Sequence, residues 1–158
     1  MEGETHMFIK EADLVNLDEA TELALALWPD NDLLELKEEF REILSSNKDK
    51  VFLAFFKQEC VAFAHISIRS DYVEGSTTSP VGYVEGIYVK PKYRRMGLST
   101  RLIAEGERWA KSLGCTEMAS DIEEDNTDSY AFHLMTGFKE AGRIIHFIKD
   151  IDDGDKER

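Results

Sequence analysis

Cysteine, proline and positive charge are all scarce in this chain. Of 158 residues, 2 are cysteine and 3 are proline, and 19 lysines and arginines face 32 aspartates and glutamates, for a formal net charge of -13. Cys60 and Cys115 are too few for a disulfide framework and have no metal-ligand spacing. The shortage of cations argues against a surface built for phosphate backbones, so nucleic acid is not an expected partner. No apolar run approaches the ~20 residues of a membrane span. The opening MEGETHMFIK is acidic and lacks the apolar stretch of a secretory signal. The expectation is a cytoplasmic chain with reduced thiols, no metal and no membrane contact. Neither GxxxxGK(S/T) nor GxGxxG occurs, which removes the P-loop and dinucleotide-fingerprint readings. The excess of carboxylates either keeps the chain soluble or, gathered in a cleft, concentrates a cationic partner.

The hydrophobic pattern predicts one domain over 7–150, with 1–6 as an extension and 151–158 as a frayed tail. Met7 to Lys10 reads as a strand. Leu17, Ala20, Leu23, Ala24, Leu27 and Trp28 recur at helical spacing up to Pro29, with Asn16 and Glu19 in a capping-box pattern at the start. A second helix carries Leu33, Leu36, Phe40, Ile43 and Leu44. Val51 to Phe56 and Val61 to Arg69 form a hairpin turned at Lys57 to Glu59. The polar loop 71–80 precedes a strand from Gly82 to Val89. A long helix opens at Leu98 and closes at Gly114. Thr116 to Asp121 is a strand, Thr127 to Met135 a helix, and Phe138 to Lys149 mostly strand with a break at Gly142. This order predicts a mixed α/β sheet with helices on its faces.

The segment YVKPKYRRMGLSTRLIAEG (88–106) is the first with chemistry in it. A strand runs into a turn, and the turn into a helix N-terminus. Unpaired N–H groups at such an end carry partial positive charge, and Gly97 permits positive φ or close approach. Arg94 and Arg95 add cations. The combination suits a phosphate or pyrophosphate.

VKPKYRRMGLSTRLI resembles motif A of the GNAT N-acetyltransferase superfamily, Arg/Gln-x-x-Gly-x-Gly/Ala at the start of a helix, with Arg94, Gly97 and Ser99 in the three positions. Ser99 departs from Gly/Ala but remains small. NTDSYAFHLMTGF (126–138) resembles motif B of the same superfamily through Asn126, Ala131 and Gly137-Phe138. The resemblance implies the GNAT fold: a central, mostly antiparallel twisted sheet with helices on both faces and a splayed strand pair at the acetyl-CoA site. It implies acetyl-CoA as donor. Its pyrophosphate would lie on Arg95, Met96, Gly97, Leu98, Ser99 and Thr100, with Arg94 nearby. The pantetheine would lie along Ile87, Tyr88 and Val89 as an extra strand does, with Asn126 hydrogen-bonding to it.

LALWPD, SDYVEGSTTSPVGYVEGIYV, GCTEMASD and DNTDSYAFHLMTGF together are similar to the aminoglycoside 6′-N-acetyltransferases, over about Met7 to Asp150. That narrower resemblance implies a polycationic acceptor and a homodimer in contact through its C-terminal strands. The chemistry agrees. A protonated amine must lose a proton before it attacks a thioester, and a carboxylate can take it. Asp121 is the first candidate base and Glu85 the second, with Glu123, Glu124, Asp125 and Asp128 adding charge at a nearby tip. A strand N–H near Ile87 or Tyr88 would face the oxyanion, freed by a bulge at Gly86. Many superfamily members place a tyrosine acid four residues before the motif B glycine. Here His133 stands there, and it either protonates the leaving thiolate or packs beside the cofactor. Trp28 and Tyr72 read either as packing residues or as aromatic surfaces for a sugar. Glu117 and Glu140 read as solvated, and His65 and His146 as satisfied sheet histidines. The acceptor alternatives are a polyamine or a peptide amine, and the non-enzymatic alternative is an acyl-CoA-binding module.

Overall fold

The computed structural model describes residues 6–152. Most of the expected N-terminal extension and the tail beyond 152 fall outside these residues. Five strands form one sheet in sequence order: β1 (Met7–Glu11), β2 (Asp49–Phe56), β3 (Glu59–Arg69), β4 (Val81–Val89) and β5 (Met118–Ser120). The first four are antiparallel to their neighbours, and β5 runs parallel to β4. Helices α1 (Leu17–Leu27) and α2 (Leu33–Ser45) follow β1, α3 (Leu98–Ser112) joins β4 to β5, and α4 (Thr127–Met135) follows β5. Helices form where apolar residues recur near period 3.6, and strands where the apolar run is short and rich in β-branched and aromatic residues.

Side chains alternate across the sheet, so each face has its own core. Phe52, Ala54, Ala64, Ile66 and Val84 meet Leu98, Leu102 and Ile103 of α3 on one face. Val51, Leu53, Phe55 and Phe63 meet Leu17, Leu23, Leu36 and Phe40 of α1 and α2 on the other. Phe40 and Phe63 lie edge to face at 6.2 Å. Each fully buried large side chain contributes about 1.5–3 kcal/mol, so these two layers fix the helices against the sheet. His65 points into the second layer and bonds Asp49 at 2.8 Å, as a sheet histidine with a partner. That hydrogen bond is the main cause holding the Asp49 carboxyl below its usual range. Lys57 and Gln58 both take positive φ, 51° and 80°, so the β2–β3 hairpin has the primed turn that matches strand twist.

Two sequence expectations change. The capping box sits one turn earlier than the NLDE pattern suggests. Asp13 and Asn16 bond reciprocally around the 3-10 turn Leu14–Asn16, and Asn16 makes no side-chain cap on α1. Asn16 accepts the Asp13 N–H through Oδ1 and donates from its amide to Glu19, so its side chain is oriented by these two partners and makes no cap bond to the α1 backbone. The second change is at the C-terminus. Phe138 to Lys149 contains no strand, and Ile144, Ile145, Phe147, Ile148 and Ile151 are 76–98% exposed. An apolar segment with strand propensity becomes a strand only where a ladder partner accepts its N–H and C=O groups. No strand of the described sheet does so here. His146 therefore lies in this exposed segment and not in a sheet.

Candidate active site

The site begins with a fork in the sheet. β4 and β5 pair only from Gly82–Met118 to Val84–Ser120, whereas β4 continues to Val89. Beyond Val84 one side of β4 has no strand beside it among the described residues. The Lys90 N–H bonds the Val61 carbonyl at 2.9 Å, and antiparallel alternation then turns the backbone groups of Tyr88 and Gly86 toward β3. Those of Ile87 and Val89 turn toward the fork. The β3–β4 register shifts between His65 and Ile66, opposite Gly86 and Val84. Glu85 is the extra residue, so the bulge expected at Gly86 is present beside it. A Cβ on Gly86 would come within 2.4 Å of the Trp28 ring, so only glycine lets Trp28 lie on the strand there. Trp28 also meets Phe63 edge to face at 6.3 Å. It is thus a core residue that reaches the border of the fork.

At the far end of β4 the chain turns into α3. Gly97 is the N-cap, with φ 77°, and Arg95 also takes positive φ, 66°. Left-handed residues close to right-handed ones aim successive N–H groups into one concavity, which binds anions. The first helical bond runs from Arg101 N–H to the Gly97 carbonyl, so the N–H groups of Leu98, Ser99 and Thr100 have no helical acceptor. Nothing lies within 4 Å of where a Gly97 Cβ would be. Arg94 donates from Nε to the Val89 carbonyl at 2.8 Å and lies 5.5 Å from the Tyr88 ring centroid. This holds its guanidinium at the rim of the turn. Free N–H groups at a helix N-terminus beside two arginines are the donor set that suits an anion such as a pyrophosphate.

The other end of the fork is acidic but not unpaired. Asp121 follows β5, and Tyr83 donates its hydroxyl to the Asp121 carboxylate. Burial, and then that bond, push the Tyr83 hydroxyl well above its ordinary range, so Tyr83 remains a donor. Glu85 accepts from Ser67 Oγ at 2.5 Å and from Arg69 Nε and Nη2 at 3.0 and 2.9 Å. The Arg69 guanidinium also lies flat on Tyr83, 3.4 Å from the ring centroid. Glu85 and Asp121 thus meet around one tyrosine ring, as adjacent strands allow. Tyr83, Ser67 and Arg69 carry no local motif that marks them in the sequence. Only the β3–β4 register brings Arg69 and Ser67 beside Glu85.

His133 lies on α4 with its ring fixed at both nitrogens. Nδ1 is 2.7 Å from the Ser129 carbonyl and Nε2 is 2.8 Å from Ser120 Oγ. A carbonyl only accepts, so Nδ1 carries the proton and neutral Nε2 accepts from Ser120. Ser120 ends β5 at the mouth of the fork. Asn126 caps α4 by accepting the Ser129 N–H through Oδ1, a use that leaves its amide N–H groups uncommitted to the cap. Glu117 departs from the solvated reading. It accepts from the Thr77 and Thr78 N–H groups, both at 2.9 Å, and from the Thr78 hydroxyl. The Thr78 hydroxyl is the main cause that holds its carboxyl below the usual range. Glu117 thereby ties the loop bearing exposed Tyr72 to β5. Glu140 is exposed, as the sequence reading has it, and pairs with Tyr130 and Arg143 at the surface. A cavity of about 300 Å³ opens between α1 and the ends of β3 and β4, lined by Glu22, Cys60 and Tyr88 among others. Burial pushes the Cys60 thiol up to about 12, so no thiolate forms there. Among the described residues, no group of three or more His, Cys, Asp or Glu side chains is placed to hold a metal ion, and no helix is long and apolar enough to cross a membrane.

Known proteins resemble this chain in sequence and in fold. The chain is 42% identical over 146 residues to an aminoglycoside N(6')-acetyltransferase type 1 of Acinetobacter haemolyticus, covering 92% of this chain and 100% of the relative. It is 42% identical to the protein of the same name from Serratia marcescens, covering 86% and 94%. A solved aminoglycoside N-acetyltransferase, AAC(6')-Iy in complex with CoA, superposes with a TM-score of 0.88 at 37% identity, covering 92% of this chain and 96% of the other. The same enzyme in complex with the bisubstrate analogue CoA-S-monomethyl-acetylneamine also gives 0.88 at 37% identity, covering 92% and 99%. The family model described as acetyltransferase (GNAT) family matches residues 17–138. By this match and these relatives, the chain belongs to the acetyltransferase (GNAT) family.

Proposed function

We propose that the protein is an acetyl-CoA-dependent aminoglycoside 6′-N-acetyltransferase working by direct attack within a ternary complex. The observation that carries this is the fork itself. It has an anion cradle at the α3 N-terminus and a carboxylate pair at its other end. Relatives named aminoglycoside N(6')-acetyltransferase type 1 match over nearly the whole chain, which supports an aminoglycoside over other amines. Acetyl-CoA supplies an activated thioester when bound. The residues to hold it are Arg94 to Thr100 at the pyrophosphate, Ile87 to Val89 along the pantetheine, and the Asn126 amide.

Asp121 takes the proton of the arriving ammonium, within reach of its carboxylate or through a water. The Ile87 N–H, turned toward the fork, faces the developing oxyanion. His133, once protonated at Nε2, passes a proton through the Ser120 hydroxyl to the departing thiolate. Tyr72 and Trp28 border the acceptor. Acetylation removes one positive charge from the acceptor, the chemical basis on which resistance to a cationic antibiotic would rest. A thiol-release assay with acetyl-CoA and kanamycin, spermidine or a lysine peptide tests the reading. Kanamycin is expected to give the highest kcat/KM. Faster turnover of spermidine or peptide would move the acceptor class, and no thiol from any of them would leave a binding module. In the same assay His133→Gln should lower kcat with little change in either KM, and an unchanged kcat would remove the relay.

A second copy of this chain is proposed as the partner of the exposed C-terminal segment. Its exposed apolar side chains, and the edge of β5 that pairs with no further strand among the described residues, suit an exchanged strand between protomers. Sedimentation should give a dimer that Ile148→Asp weakens, and a monomer at all concentrations would overturn this.

A further inference from the structure

The acceptor end of an acidic protein is held by a cation of its own. Arg69 ends β3, opposite Val81 at the last rung of the β3–β4 ladder. Its guanidinium covers the Tyr83 ring and takes both oxygens of Glu85. Those are the two surfaces that an acceptor's ammonium group would use: an aromatic face and a carboxylate. Resting on the assignment of Glu85 and Asp121 to the acceptor site, we infer that Arg69 sets the affinity threshold of that site. It occupies the ammonium subsite as a resident cation, and an acceptor binds by exchanging with it.

The geometry allows the exchange. The Arg69 side chain is 43% exposed while that of Glu85 is 26% exposed, so the cation has solvent to move into and the carboxylate stays where it is. Ser67 holds Glu85 at 2.5 Å independently of Arg69. Glu85 therefore keeps its orientation when the guanidinium leaves. Tyr83 is also held by its bond to Asp121, so the ring face stays presented. Only Arg69 is placed to leave, since it ends its strand and the chain beyond it enters a loop.

The exchange sets a threshold on the acceptor. A monoamine must replace a bidentate, ring-stacked guanidinium with a single ammonium. A polyammonium sugar puts one charge on Glu85, another near Asp121 and a ring over Tyr83. The release of Arg69 costs every acceptor the same, so it acts as a threshold: a polycation offsets it with its further contacts and keeps useful affinity, and a monoamine, with one contact, does not.

The experiment is steady-state kinetics of Arg69→Gln at saturating acetyl-CoA, with kanamycin and with 6-amino-6-deoxyglucose as a monoamino sugar. Displacing an exposed ion pair and a cation–π contact corresponds to roughly 3- to 30-fold in affinity. KM for kanamycin and KM for 6-amino-6-deoxyglucose should both fall by about that factor, because both are relieved of the same displacement. Arg69→Lys, which keeps the charge but loses the fork and the stacking, should lie between. If Arg69 merely braces Glu85, KM for both acceptors rises in Arg69→Gln, and the inference is overturned. Unchanged KM values overturn it equally. Glu85→Gln separates the two levels of the argument. A raised KM for kanamycin in Glu85→Gln keeps the acceptor assignment whatever Arg69→Gln does, and an unchanged one removes the assignment itself.

Discussion

Asp121→Asn is expected to lower kcat/KM for an aminoglycoside by about 10²- to 10⁴-fold, the usual contribution of a general base. The substitution keeps the size of the side chain and an oxygen to accept the Tyr83 hydroxyl, so the geometry survives and the basicity does not. The bond to Tyr83 weakens from a charged to a neutral acceptor, which costs at most about 1 kcal/mol. The melting temperature should therefore stay close to that of the parent. The loss should fall mainly on kcat, because a lost ion pair alone raises KM and leaves kcat. It should also shrink as pH rises, since more acceptor then arrives without its proton. The measurement is a pH profile of kcat and KM for both proteins. A variant that melts several degrees lower yet turns over normally would make Asp121 structural. Glu85 would then be the leading base, available only once Arg69 has left it.

The second large effect is at the other end of the fork. Gly97→Asp should lower acetyl-CoA affinity ~100-fold or more, because like charges brought together cost several kcal/mol. The carboxylate would stand in the concavity formed by the N–H groups of Leu98 to Thr100. Nothing lies within 4 Å of the added Cβ, so the chain is not forced apart. Aspartate also visits φ near 77° more readily than most residues. Gly97→Asn supplies the control, with the same backbone strain and no charge, and should bind far better than Gly97→Asp. Calorimetry with acetyl-CoA reads the difference. Equal affinity of a folded Gly97→Asp and its parent would move the pyrophosphate elsewhere.

Both effects rest on residues that short-range patterns mark. Gly97, Arg94 and Asp121 lie in segments where a local signal and a family resemblance coincide. A helix start is a local event, and the αL turn at Gly97 needs only its own neighbours. The same holds for α1 to α4, whose apolar stripes bound them to within a residue or two. The capping box is a local signal too, but two overlapping patterns, Asp13–Asn16 and Asn16–Glu19, compete for one asparagine. The first takes its carbonyl.

Whatever depends on neighbours along the chain is legible in the sequence: helix stripes, the strand–turn–helix anion cradle, the hairpin turn, the family, and the excess of carboxylates over cations. Whatever depends on register came from the tertiary fold. Arg69 and Glu85 are 16 residues apart and meet because an antiparallel ladder with one bulge sets them side by side. Thr77 and Glu117 are 40 apart and meet because β5 joins β4 in parallel. The fork is likewise an outcome of pairing: β5 stops at Ser120 while β4 runs on to Val89. The apolar run near the C-terminus has strand propensity, but only hydrogen bonds to a neighbouring strand can make it one. Its own chain offers it none among the described strands, because a ladder is a property of two segments and never of one.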